Sequence, residues 1–184
     1  MILVTGGAGF IGSNIVAGLE SAAEGPITVV DRFGTDDKWK NLRGPEVDEL
    51  VDPAGLDDFL QRRGGEVAYV IHMGAISATA EADADLIVDA NLRLSQRIWR
   101  WCVQHDVPLI YASSAATYGD GAQGFDDDGS PEGLARLVPM NAYAWSKHLF
   151  DRWVARIVAS GGRKPPQWVG LKFFNVYGPN EHHK

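Results

Sequence analysis

The chain has 184 residues, 45% of them hydrophobic and 22% charged, so it is long enough to form one globular domain with its own core. A net charge of -7 argues against a surface built to bind nucleic acid or an anionic membrane. One cysteine excludes an internal disulfide, and neither a secretory leader nor an apolar run of roughly 20 residues is present, so we expect a cytoplasmic protein.

Apolar runs alternate with helical periodicities along the chain. The sequence predicts strands at 2–5, 27–31, 48–52, 108–114 and 168–176, and an apolar run at 67–75. Helices are predicted at 10–22, 54–62, 82–105 and 142–160, with a solvated loop at 119–140. Strands that are continuously apolar are typical of a sheet covered by helices on both faces. The predicted fold class is α/β, a doubly wound parallel sheet in one domain spanning 1–184.

The stretch "VTGGAGFIGSN" places Gly6, Gly9 and Gly12 between the first strand and the first helix. Glycine lets such a turn be tight and brings backbone N–H groups close to a pyrophosphate, while the helix N-terminus adds a positive dipole end. The strand-turn-helix context is the one this motif requires. It predicts a site for a dinucleotide.

The residues after the second strand leave the identity of the dinucleotide open. Asp31 lies where an acidic side chain commonly accepts hydrogen bonds from the adenosine ribose, which favours NAD. Arg32 and Lys38 could pair with a 2′-phosphate, which favours NADP. Both cations could equally be ordinary surface charge.

A candidate reacting centre lies in the second half of the chain. Tyr143 and Lys147 are four residues apart on a predicted helix and therefore share one face. They follow Ser114 and Thr117, which lie near the carboxyl edge of the sheet, where doubly wound folds bind ligands. A nearby ammonium favours a tyrosine phenolate, and a serine hydroxyl can bind the same substrate oxygen, so these groups suit the oxidation of an alcohol by NAD(P)⁺. The five histidines lack metal-ligand spacing, and we expect no metal.

The glycine motif, the serine and the Tyr-x-x-x-Lys pair resemble the extended short-chain dehydrogenase/reductase family. Within it, "HMGAISATAEAD", "YASSAATYG" and above all "FNVYGPNEHHK" are similar to the ADP-L-glycero-D-manno-heptose 6-epimerases. The resemblance implies a Rossmann-like fold and an NADP-dependent isomerase acting on an ADP-heptose nucleotide sugar, in carbohydrate metabolism that supplies the lipopolysaccharide core. It also implies a homo-oligomer for the full-length form.

The resemblance also assigns roles to individual residues. It implies that Tyr143 is an acid/base, that Lys147 binds the cofactor and tunes Tyr143, and that Lys184 is a second acid/base. Ser114 and Asn175 would contact the substrate. The implied cofactor contacts, besides the glycines and Asp31, Arg32 and Lys38, are Phe10, Ile11, Met73, Gly74, Ala75, Ile76, Ser77, Asn91 and Val176.

The implied reaction is epimerisation at C6 by transient oxidation and return of the same hydride. Family members extend beyond 184 residues into a smaller substrate domain, so we expect this chain to be the cofactor-binding part, without the substrate domain and with negligible turnover alone. Two alternatives remain open: a dinucleotide-binding module without turnover, and a 4-epimerase or 4,6-dehydratase of another nucleotide sugar.

Overall fold

The computed structural model describes residues 1–35 and 37–181. The chain forms two compact units. The first contains Met1–Gly74, Val107–Ile110 and the residues from Asn175 onward, and the second contains Ala75–Asp106 and Tyr111–Phe174. The strands are β1 (Ile2–Thr5), β2 (Ile27–Val30), β3 (Glu49–Val51), β4 (Tyr69–His72), β5 (Leu109–Ser114) and β6 (Trp168–Phe173). They form one sheet with the order β3-β2-β1-β4-β5-β6.

The first unit contains strands β1 to β4, the start of β5, and helices α1 (Phe10–Ser21) and α2 (Leu56–Arg63). Strand β1 pairs in parallel with both β2 and β4, and β2 pairs in parallel with β3. Every residue of β1 and β2 is buried, as expected for apolar strands covered on both faces. The core of this unit is a cluster of aliphatic side chains: Ile2, Val4, Val16, Ile27, Val29 and Ile71.

The second unit contains helices α3 (Ala84–Ile87), α4 (Leu94–His105), α5 (Pro131–Ala135) and α6 (Ala142–Ala159). Helix α6 begins where the side chain of Asn141 accepts a hydrogen bond from the Ala144 N–H at 2.8 Å, an N-cap. The core of this unit is aromatic. Trp99, which is 1% exposed, packs edge-on against three rings: Phe150, Trp153 and Trp168.

The predicted doubly wound α/β fold is confirmed, and the main differences from the predicted elements are at three places. The predicted helix 82–105 contains a π-helical segment, Val88–Arg93, between α3 and α4. The predicted loop 119–140 contains α5, because Ser130 caps the helix and Pro131 suits its first position. The last strand ends at Phe173 instead of residue 176. Within residues 1–35 and 37–181, no helix has the length and apolar character needed to span a membrane.

Candidate functional site

The glycine loop, residues 6–12, runs from the end of β1 into the first turn of α1 and requires glycine at two positions. Gly6 has a φ of +67°, and a Cβ there would lie 2.6 Å from the backbone nitrogen of Gly74. A Cβ on Gly12 would lie 2.1 Å from the carbonyl oxygen of Gly6. Gly9 gives α1 no side-chain cap, and no acidic residue lies in the first helical turn. The positive end of α1 is therefore not neutralised by its own side chains, and it fits the pyrophosphate of a dinucleotide.

A groove of about 370 Å³ runs along the start of α1. One wall is the segment 176–179, which is held to α1 by a hydrogen bond from Asn14 Nδ2 to the Pro179 carbonyl oxygen at 2.9 Å. A second hydrogen bond joins Asn180 Nδ2 to Ser13 Oγ at 3.0 Å. The groove brings together three residues that the sequence predicts to be cofactor contacts: Phe10, Ile11 and Val176.

The carboxylate of Asp31 is hydrogen-bonded to the backbone of the glycine loop. Its Oδ2 accepts a hydrogen bond from the Ala8 N–H at 2.8 Å. Its Oδ1 accepts from the Arg32 N–H at 2.7 Å and pairs with the Lys38 ammonium at 2.8 Å. Asp31 is only 8% exposed, whereas the Arg32 side chain is exposed. Most of the accepting capacity of Asp31 is thus used within the chain, which leaves Arg32 as the accessible charge at this position.

The predicted cofactor segment 73–77 is divided between the two units. In the first unit, the Gly74 N–H donates to Thr5 Oγ1 at 3.1 Å, and the same hydroxyl lies 2.6 Å from His72 Nδ1. Met73 packs against the aliphatic core of that unit. Ala75, Ile76 and Ser77 belong to the second unit.

Asn91, in the π-helical segment, is fully buried and makes three hydrogen bonds within the second unit. Its Oδ1 accepts from the Ile76 N–H at 2.8 Å, and its Nδ2 donates to the Ile76 carbonyl oxygen and to Ser146 Oγ, each at 3.0 Å. Both amide hydrogens are therefore engaged, and only one lone pair on Oδ1 remains for another partner.

Tyr143, Lys147 and Ser114 all lie in the second unit. Tyr143 is partly exposed in the first turn of α6, and Lys147 is 4% exposed one turn later. The Lys147 ammonium donates to the carbonyl oxygen of Ala112 in β5 at 2.8 Å. Ser114 ends β5, and its Oγ accepts from the Ala116 N–H at 3.1 Å. The predicted pair is thus on one helix, with its lysine bonded to the strand that ends at the predicted serine.

Burial controls the charge of Lys147. Desolvation lowers the pKa of its ammonium to about 8, and the Asp151 carboxylate on the same helix acts in the opposite direction. The lysine is therefore poised to lose its proton at a lower pH than an exposed lysine would.

The chain matches the model of the NAD dependent epimerase/dehydratase family over residues 2–184. It belongs to that family. The predicted membership among the extended short-chain enzymes is thereby confirmed.

Proteins to which the chain is similar are longer than it. It is 46% identical to the ADP-L-glycero-D-manno-heptose-6-epimerase of Fusobacterium nucleatum, covering 100% of this chain and 55% of that protein. The crystal structure of the Helicobacter pylori ADP-L-glycero-D-manno-heptose-6-epimerase matches with a TM-score of 0.79 and 28% identity, over 98% of this chain and 56% of that one. MoeE5, in complex with UDP-glucuronic acid and NAD, matches with a TM-score of 0.69 and 27% identity, over 97% and 56%. The chain spans about half the length of the curated relatives it matches.

Besides Val176, two predicted site residues lie in the last stretch of the chain, Asn175 and Lys184. Asn175 is exposed and directly precedes the groove residue Val176. Lys184 lies outside the described residues, so its predicted role as a second acid/base remains a prediction.

Sequence reasoning missed a buried polar network beside Lys147. Asp151 lies one turn further along α6, and its Oδ2 accepts from Ser113 Oγ at 2.6 Å and from the Lys172 ammonium at 2.7 Å. The spacing of Tyr143, Lys147 and Asp151, at every fourth residue, was a signal that could have placed Asp151 on the same face. Nothing local to β6 indicates the partner of Lys172.

Proposed function

We propose that the chain binds NADP(H) and carries the acid/base residues of a nucleotide-sugar epimerase that acts at C6 of an ADP-glycero-manno-heptose. The observation that carries the proposal is the glycine loop, which no other residue type could form at Gly6 and Gly12 and which leaves an uncapped helix end for a pyrophosphate. The cofactor, when bound, supplies the acceptance and return of a hydride.

The proposed chemistry of the chain's own residues is proton transfer. The Tyr143 oxygen takes the proton of the sugar hydroxyl as the C–H bond breaks, and a proton returns to that oxygen when the carbonyl is reduced on its other face. Tyr143 and the predicted second acid/base, Lys184, would serve the two faces. Lys147, one turn along the same face of α6, would bind the cofactor beside Tyr143 during this proton transfer. Ser114 would hydrogen-bond the same sugar oxygen, and no net oxidation occurs.

The substrate class is inferred from the relatives. A protein named ADP-L-glycero-D-manno-heptose-6-epimerase is 46% identical over this whole chain, which favours an ADP-heptose over other nucleotide sugars. The preference for NADP is inferred from the adenosine end. Because Asp31 is engaged by Ala8, Arg32 and Lys38, it is a poor acceptor for a ribose diol, while the exposed Arg32 side chain suits a 2′-phosphate.

The proposal is tested by adding nucleotide sugars to the natural protein after it has been loaded with NADP⁺. ADP-glycero-manno-heptose carrying deuterium at C6 should be epimerised with the deuterium retained, whereas UDP-galactose and UDP-glucose should not react. Tyr143→Phe should abolish the epimerisation and leave dinucleotide affinity unchanged. Reaction of a UDP-sugar alone would indicate a 4-epimerase or dehydratase, and dinucleotide binding without turnover of any sugar would indicate a binding module.

A further inference from the structure

Three consecutive residues at the end of β5 are each held by a side chain of another element in the second unit. The carbonyl oxygen of Ala112 accepts from the Lys147 ammonium at 2.8 Å. Ser113 Oγ donates to Asp151 Oδ2 at 2.6 Å. The carbonyl oxygen of Ser114 accepts from Thr117 Oγ1 at 2.8 Å. The strand end that carries Ser114 is therefore fixed both to α6 and to the turn that follows it.

Lys172, in β6, is hydrogen-bonded both to α6 and to the turn after β5. The Lys172 ammonium donates to Asp151 Oδ2 at 2.7 Å and to Thr117 Oγ1 at 2.8 Å, and it lies 5.3 Å from the centre of the Tyr118 ring. Asp151 is 7% exposed and the Lys172 side chain 17%. A single ammonium thus connects the helix of Tyr143 and Lys147 to the turn of Ser114.

Stability alone is a weak reason for a buried ion pair. The cost of removing two charges from water often equals or exceeds their attraction, so well-packed apolar residues can replace such a pair without loss of stability. In this pair, the Lys172 ammonium also donates to the Thr117 hydroxyl, which in turn donates to the Ser114 carbonyl oxygen. The ammonium therefore orients the hydroxyl, which an apolar side chain could not do.

We propose that Lys172 and Asp151 are positioning residues, which set the Ser114 turn relative to the face of α6 that carries Tyr143 and Lys147. The functional meaning of this role rests on the function proposed above for Ser114, Tyr143 and Lys147. Neither Lys172 nor Asp151 acts on the substrate itself, and both act through the backbone and hydroxyl groups that they hold.

The test separates positioning from stability with a charge-balanced double variant. Lys172→Met and Asp151→Leu, made singly, each leave an unpaired buried charge and should lower the urea midpoint, whereas the double variant should return close to the wild-type midpoint. The second measurement is amide hydrogen exchange at Ala116, whose N–H donates to Ser114 Oγ. In the double variant this exchange should be at least about tenfold faster than in the wild type, while amides of β1 are unchanged.

Conservative variants test whether slow exchange at Ala116 is restored when the hydroxyl or the cation is kept. Thr117→Val removes the hydroxyl between Lys172 and Ser114 and should accelerate exchange at Ala116, and Thr117→Ser should restore it. Lys172→Arg should keep slow exchange, because it retains a donor to Asp151 and Thr117. If a charge variant fails to fold, the Thr117 pair decides the outcome alone.

Wild-type exchange at Ala116 in a stable double variant would overturn the proposal, as would equal exchange in Thr117→Val and Thr117→Ser. Neither measurement uses dinucleotide or sugar. A failure here is therefore distinct from a failure of the proposed function, which would appear in the dinucleotide-binding and sugar-turnover assays of the wild type.

Discussion

The ammonium of Lys147 donates a hydrogen bond to the backbone carbonyl oxygen of Ala112 at 2.8 Å, inside a site where the lysine is 4% exposed. This contact ties α6 to β5 and places a cation, at neutral pH, in surroundings that disfavour charge. Lys147 thus presents a buried ammonium four residues after Tyr143, on the same face of α6.

The burial of Lys147 predicts a pH-dependent stability. Its pKa is about 8 in the folded chain, against an ordinary 10.5, so between these values the unfolded chain binds more protons than the folded one. The free energy of unfolding should therefore rise with pH across this window, by up to about 3 kcal/mol at 1.36 kcal/mol per pH unit.

Urea unfolding of the wild type and Lys147→Met between pH 7 and pH 10 measures this contribution. The wild type should gain stability relative to the variant as pH rises. Because both proteins contain all the other titrating groups, the difference between their stabilities isolates the contribution of Lys147. Parallel stability curves for the two proteins would show that Lys147 is not desolvated as described.

Two Gly→Ala substitutions in α1 should have different effects: the one at position 12 should weaken dinucleotide binding, and the one at position 18 should stabilise the fold. Gly12→Ala places a Cβ 2.1 Å from the Gly6 carbonyl oxygen and should weaken dinucleotide binding by at least about tenfold. Gly18→Ala, on an exposed position of α1 with no atom within 4 Å of the added Cβ, should stabilise the fold by about 0.5–1 kcal/mol. Fluorescence titration with NADPH and thermal unfolding measure the two effects, and equal affinity in both variants would contradict this account of the loop.

The exposed Arg32 side chain should determine the preference for NADPH over NADH by binding the 2′-phosphate. Arg32→Ala should raise the Kd for NADPH about five- to thirtyfold, equivalent to about 1–2 kcal/mol, and should leave the Kd for NADH within about twofold. Lys40→Ala is the matched control, because Lys40 is a nearby surface cation paired with Asp37. An equal loss for NADPH and NADH, or an equal loss in the control, would assign Arg32 to general surface charge.

The only cysteine of the sequence reports on packing in the second unit. Cys102 is fully buried in α4, and desolvation raises the pKa of its thiol to about 12. Because the thiolate is the reactive form, iodoacetamide at pH 8 should modify the chain only after it has been unfolded in urea. Stoichiometric labelling of the native chain, detected by mass spectrometry, would mean that the packing around α4 is wrong.

Local patterns in the sequence predicted the parts of the site that short segments determine. The glycine spacing around Gly9 and the four-residue spacing of Tyr143 and Lys147 depend on one turn and one helix, and their positions follow from the backbone. The end of β6 was less predictable, because it depends on neighbouring elements instead of periodicity. The whole of α5 was missed, since the segment 119–140 was predicted to be a loop.

Pairings between distant parts of the chain could not be predicted. Nothing near Lys172 indicates that it meets Asp151, and nothing near Asn91 indicates that its amide binds the backbone of Ile76. Nothing near Asn180 indicates that its side chain binds Ser13 at the start of α1. Each of these contacts is formed only once the sheet has brought the elements together.

Binding of a nicotinamide dinucleotide by the glycine loop is the central claim, and titration of the purified chain with NADPH and NADH tests it most directly. Trp fluorescence with the wild type and Gly12→Ala in parallel, supported by native mass spectrometry of the protein as isolated, gives affinity and identity together. We predict saturable binding in the wild type, tighter for NADPH than for NADH, and a loss of affinity in Gly12→Ala. Absence of binding of either dinucleotide at millimolar concentration, or equal binding by Gly12→Ala, would contradict it.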